Sequence, residues 1–175
     1  MTTHHVLRAC RALVIPVALG AVARPAAAQE KPAPAAEFAA GALFFPDDGV
    51  VTEPFVGGHV RFYVSPRVSL GPELAFVNGE RHSHLMLTGN VTVDLARPQP
   101  GGSVRVVPFV VAGGGLFTTS ESFPNDPSFT STEGAFTAGG GFRADLGRRA
   151  FAGVEARVGW EPHVRVNAVI GFHLD

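Results

Sequence analysis

Along Phe151 to Trp160, apolar residues occupy every second position (Ala152, Val154, Ala156, Val158, Trp160), and Gly153, Glu155, Arg157 and Gly159 fill the positions between. In an extended strand the two sets point to opposite faces, one apolar and one carrying an acid and a base. Segments of this kind recur from Glu37 onward, separated by turn residues and without a helical period. The pattern predicts eight strands, at Glu37 to Phe45, Glu53 to Ser65, Arg67 to Val77, Ser83 to Ala96, Ser103 to Phe117, Glu133 to Leu146, Arg149 to Trp160 and His163 to Leu174. The fourth and eighth alternate most cleanly, the first has little but Glu37 on its polar side, and the fifth is apolar on both faces.

A soluble sheet sets its apolar face on a core, whereas a membrane barrel turns that face to lipid and folds the charges inward. The connections favour the second arrangement. Counted from a periplasmic N-terminus, the outer connections are Pro46 to Thr52, Asn78 to His82, Thr118 to Thr132 and Glu161-Pro162. The inner ones are Ser65-Pro66-Arg67, Arg97 to Gly102 and Gly147-Arg148. The two longest fall at one end, as in outer-membrane barrels with long outer loops and short periplasmic turns. The predicted fold is therefore all-β, an eight-stranded antiparallel up-and-down transmembrane β-barrel.

Composition adds export and location. A basic start (His4, His5, Arg8, Arg11), an apolar run from Ala12 to Ala23 and the small residues Ala26-Ala27-Ala28 have the form of a secretory signal peptide. Residues 1–28 are read as that signal, 29–36 as a Pro/Ala-rich leader and 37–175 as the barrel domain. The sole cysteine, Cys10, falls within the signal, so thiol chemistry and disulfides are excluded for the mature chain. A formal net charge of −1 gives no reason to expect nucleic acid. Lys31 is the only lysine, which suits a surface that water does not touch better than the mixed charged coat of a soluble protein.

With the apolar faces toward lipid, the interior gathers Glu37, Arg61, Glu73, Asp94, Arg143, Asp145, Glu155, Arg157 and Arg165, five acids against four arginines. The interior of an eight-stranded barrel is just wide enough for side chains to fill. Unpaired buried charge is costly, so these residues are expected to form a salt-bridge network that plugs the barrel. The rival use of the same residues is a gated ion path.

Together these features resemble the small bacterial outer-membrane β-barrels, the class of the OmpA and OmpX transmembrane domains. The resemblance spans Glu37 to Leu174 and is carried by the signal peptide, the alternating strands and glycine-rich strand stretches such as Pro108 to Gly115 and Ala138 to Arg143. It implies a Gram-negative cell envelope, outer-membrane lipid around the barrel, and insertion by the barrel insertion machinery. In that family the last strand usually ends in an aromatic residue; here the chain ends Gly171-Phe172-His173-Leu174-Asp175.

The remaining motifs carry little chemistry. Gly113-Gly114-Gly115 and Gly139-Gly140-Gly141 are read as allowing strong curvature or close packing, since neither opens a helix or precedes a Lys-Ser/Thr pair. His82 and His84 point the same way on a strand, with His163 on the same rim. Metal sites need three or four converging ligands, so the rim is read as merely polar, and no metal or cofactor is expected. The His82-Ser83 dipeptide also occurs in outer-membrane lipid deacylases, but without its surrounding motif it assigns no catalytic residue. The loop 118–132, with Glu121, Asp126, Phe123 and Phe129, is a candidate for contact with an extracellular partner. The chain thus reads as a non-enzymatic integral outer-membrane protein, structural or surface-presenting and porin-like in build. Alternatives are a barrel that binds or passes a small solute or ion, and a soluble periplasmic barrel of lipocalin type.

Overall fold

The computed structural model describes residues 31–47, 49–80, 82–96, 106–121, 128–147, 149–160 and 162–174. The predicted signal peptide, the start of the leader and the connection at Arg97 to Gly102 lie outside the described residues. Eight strands follow in chain order: β1 (Ala35–Asp47), β2 (Gly49–Tyr63), β3 (Val68–Asn78), β4 (His82–Asp94), β5 (Val106–Glu121), β6 (Phe129–Asp145), β7 (Ala150–Trp160) and β8 (His163–His173). Each pairs antiparallel with the next, and β8 returns to β1, closing an up-and-down barrel.

Closure gives every strand one face toward the axis and one toward the surroundings. Val91, Val154 and Ile170 point outward, 45%, 57% and 44% exposed, while Asp94, Arg157 and Arg165 point inward at 4%, 4% and 2%. A lipocalin-type barrel, polar outside and apolar within, is incompatible with these positions. Among the described residues, no outward position of any strand carries a charged side chain. The polar ones (Thr52, Asn78, Ser83, Thr118, Ser120, Thr130, Thr132) gather toward the β1–β2, β3–β4 and β5–β6 hairpin ends. Below them runs an apolar belt, and the rings of Phe136 and Trp160 stack near its upper edge, their centroids 6.5 Å apart.

Several boundaries differ from the sequence reading: β1 runs on to Asp47 and pairs there with Gly49 of β2, so most of the expected outer loop Pro46 to Thr52 is strand. β5 and β6 continue pairing out to Glu121 opposite Phe129, shortening the expected loop 118–132 to a connection at 122–128. The added rungs consist largely of Thr and Ser, which join through their hydroxyls (Thr118 to Thr132, 3.0 Å; Ser120 to Thr130, 3.4 Å) and so show no apolar alternation. β1 starts at Ala35, inside the stretch assigned to the leader, because this small residue is fully buried and pairs with both Arg61 and His173. The turn between β2 and β3 is tight. Val68 donates its amide to the Ser65 hydroxyl at 3.1 Å, and Gly147, at φ 123°, supplies the left-handed residue between β6 and β7.

Candidate functional site

The inward positions stack in layers. Nearest the hairpin end, Leu43, Phe55, Val77, Met86 and Phe117 form a dry apolar layer, each 2% exposed or less. Toward the other mouth Ala35, Phe151 and Val169 form a second. Between them lie eight of the nine charged residues singled out from the sequence, divided into two closed quartets.

In the first quartet, Arg61 pairs with Glu37 at 3.0 Å and with Asp94 at 3.4 Å. Arg143 also pairs with Asp94, and it returns to Glu37 at 3.5 Å, closing the ring. Arg61 donates Nε–H to the Ser69 hydroxyl at 2.9 Å, and the Arg143 guanidinium lies 4.4 Å from the Phe109 ring centroid. His59 Nδ1 lies 3.4 Å from Glu37 and, by register, opposite Glu73 of the other quartet.

The second quartet resolves a conflict in the strand register. Arg157 and Arg165 lie directly opposite each other on β7 and β8, a like-charge pairing that alone is destabilising. Glu73, reaching across from β3, meets Arg157 at 2.8 Å and Arg165 at 2.5 Å. Glu155 accepts from Arg157 Nη2 at 2.9 Å and from Arg165 Nη2 at 3.1 Å. Asn90 donates to Glu73 at 2.9 Å and accepts from Arg157 at 3.2 Å. A Cβ at Gly113 would fall 2.0 Å from Asn90 Oδ1, so this glycine makes room for that amide. Each quartet holds two carboxylates and two arginines and is formally neutral, which is what burial requires.

The ninth residue, Asp145, ends β6 close to Asp94 and Arg143 of the first ring. It is partly buried at the mouth beside Tyr63 and His173, where it lines a void of about 40 Å³. A void beside the second quartet measures about 10 Å³. About 10–15 Å³ of such space is needed to hold one water, so the first void has room for water and the second for one at most. Every strand except β5 supplies a charge to the rings. β5 instead fills space with Val107, Phe109, Val111 and Phe117, all 6% exposed or less, so the strand that is apolar on both faces is packed on its inner one.

Above the outer apolar layer is a second polar group. His82 and His84 both turn inward from β4, and Ser83 between them turns outward, away from either imidazole. The structure adds a residue that sequence reasoning did not single out: Glu53 on β2, 3% exposed. Its Oε1 meets His82 Nε2, and its Oε2 lies 3.6 Å from His84 Nε2. Glu53 shares the inward phase of His59 and Arg61, and that phase was the available signal. His163 faces the rings of Phe45 and Phe117, at 6.0 and 6.4 Å between centroids, and does not converge with the other three.

The closed register, the outward strand positions without charge among the described residues, and the side-chain-filled interior together define one architecture. The chain has the fold of the small outer-membrane β-barrels. It is similar to the N-terminal β-barrel domain of Pseudomonas aeruginosa OprF, with a TM-score of 0.61 at 14% identity over 80% of this chain and 97% of that one. Neisserial surface protein A gives 0.67 at 10% identity, covering 81% and 96%. Ail, the attachment invasion locus protein of Yersinia pestis, solved with the heparin analogue sucrose octasulfate, gives 0.57 at 9%, covering 82% and 99%. In sequence, no protein-family model and no curated protein matches.

Proposed function

We propose that this protein is an integral outer-membrane barrel, exported by its signal peptide, whose role is structural and surface-presenting rather than enzymatic or conductive. One observation carries the reading: the outward faces hold no charge among the described residues, and the interior closes on two neutral rings between apolar layers. Charge is expelled from the lipid side and neutralised at the axis, as a bilayer demands. The termini then face the periplasm, and the polar outward residues of the hairpin ends mark the outer membrane surface. The β5–β6 hairpin carries hydroxyl side chains above the apolar belt, where it is placed to present 118–132 to an extracellular partner.

The protein should pellet with outer membranes, resist extraction by alkaline carbonate and migrate faster on gels when unheated. Recovery as a soluble periplasmic protein would reject the membrane reading. Reconstituted in planar bilayers it should give no steady conductance; a reproducible ion current would reject the plug and restore the channel. Deleting 120–131 should leave the unheated mobility intact and abolish any surface interaction the intact barrel shows.

A further inference from the structure

We propose that Glu53, His82 and His84 form a binding site for a divalent transition-metal ion of the zinc type at the outer rim. Their ligand atoms, two imidazole nitrogens and a carboxylate oxygen, all lie within 4.8 Å of one another. A tetrahedral zinc site with ligands at about 2.0–2.1 Å sets them about 3.3 Å apart, so contraction by a side-chain adjustment completes the site. His82, with a side chain 32% exposed, has the freedom to make it.

Three further features support this assignment. Glu53 Oε2 is buried without a hydrogen-bond partner, in a position where an unused carboxylate lone pair is costly. His84 Nδ1 is held by the Thr119 hydroxyl at 2.9 Å, which fixes the ring and leaves Nε2 as the atom that faces Glu53. Anchoring one imidazole nitrogen so that the other can ligate is the usual outer-shell arrangement of metal-binding histidines. Finally, a Cβ at residue 79 would fall 2.5 Å from His82 Nε2 and 2.6 Å from Glu53 Oε1. Glycine there keeps clear the space in which the ion sits.

The donor set selects the metal class. Two imidazoles and one carboxylate suit Zn²⁺ and its first-row neighbours, while Mg²⁺ and Ca²⁺ prefer all-oxygen shells. A cleft of about 470 Å³ lined by Thr52, Asn78, Gly79, Glu80 and His82 leads to the group and leaves a fourth position for water. The ion would join β2 to β4 across the intervening β3, above the apolar layer.

The test is titration of the folded barrel in detergent micelles with Zn²⁺, and with Co²⁺ followed by its visible absorption, in the presence of excess Mg²⁺. The expected result is one ion per barrel, with Co²⁺ bands of a four-coordinate site. Glu53→Gln and His82→Gln should each weaken binding tenfold or more, and Thr119→Val by about tenfold through the loss of its hold on His84. Unheated gel mobility certifies that each variant is folded, and His82→Gln, at the wet rim, keeps the test available if Glu53→Gln does not fold. No saturable Zn²⁺ binding would overturn the proposal. So would equal binding by wild type and both ligand variants, which would place the ion elsewhere, or displacement of Zn²⁺ by Mg²⁺.

Discussion

The barrel interior contains two kinds of carboxylate cluster, and they differ in how their valences are met. In the quartets, two carboxylates face two arginines, and each charged group touches two of opposite sign. At the rim one carboxylate faces two imidazoles, whose ring nitrogens can either donate or accept. In the quartets every carboxylate is met by two arginines, and only guanidinium Nε–H groups, those of Arg143 and Arg165, are left over; at the rim it is a carboxylate oxygen, Glu53 Oε2, that lacks a hydrogen-bond partner. Arginine, which does not deprotonate, suits a closure that must hold at any pH, and histidine suits a position that accepts and releases.

Breaking a completed ring should have the largest effect. Arg165→Met keeps the volume but leaves Glu73 and Glu155 with one arginine each, in surroundings 2–7% exposed. The expected loss is about 3–5 kcal/mol, read from urea unfolding in micelles. A loss under about 1 kcal/mol would show that the second ring does not hold as a unit. Moving a charge to the other face of the same strand should cost somewhat less. Val154 is 57% exposed on β7, next to buried Glu155, and Val154→Arg should destabilise by roughly 2–4 kcal/mol in a bilayer. In this way β7 requires arginine at 157 and rejects it at 154, and an unchanged Val154→Arg variant would contradict a lipid-facing β7.

Much of this arrangement could be read from the sequence because a strand has period two. Once Val154 and Val158 are set outward, Glu155 and Arg157 must face the axis, and the same phase gathers the other charges. Which acid meets which base could not be read, because the pairings depend on the stagger of the closed barrel: Arg157 meets Glu73 from 84 residues away. For the same reason the place of Asp145, at the end of β6 beside Asp94 and Arg143, could not be told from strand phase alone. Glu53 was passed over because the outer strand ends lack a clear apolar alternation, as do the Thr and Ser rungs between β5 and β6. Polar residues on both faces of a strand carry no phase, and rim chemistry concentrates at such positions.

The division into two rings makes a finer prediction. Within the second ring, Glu73→Gln and Arg165→Met share a partner and should couple by about 0.5–3 kcal/mol in a double-mutant cycle. Between rings, Glu37→Gln and Arg165→Met share no ion pair and should add to within about 0.5 kcal/mol. Strong coupling of the second pair would merge the rings into a single network, with His59, set between Glu37 and Glu73, as the connecting group.

The smallest effect belongs to the rim. With metal chelated, His82→Gln removes one partner from an ion pair that water reaches on the histidine side, and Gln can still donate to Glu53. The change in unfolding free energy should stay below about 1 kcal/mol, the ordinary value for a partly exposed pair. Added Zn²⁺ should then raise the stability of the wild type, by mass action on the folded state, and leave His82→Gln almost unmoved. The comparison turns on that difference, because the response of a closed ring to its own mutation does not depend on the metal content of the buffer. If His82→Gln costs as much without metal as Arg165→Met does, the rim trio is a third closed ion cluster, and the contrast between complete and incomplete valence disappears.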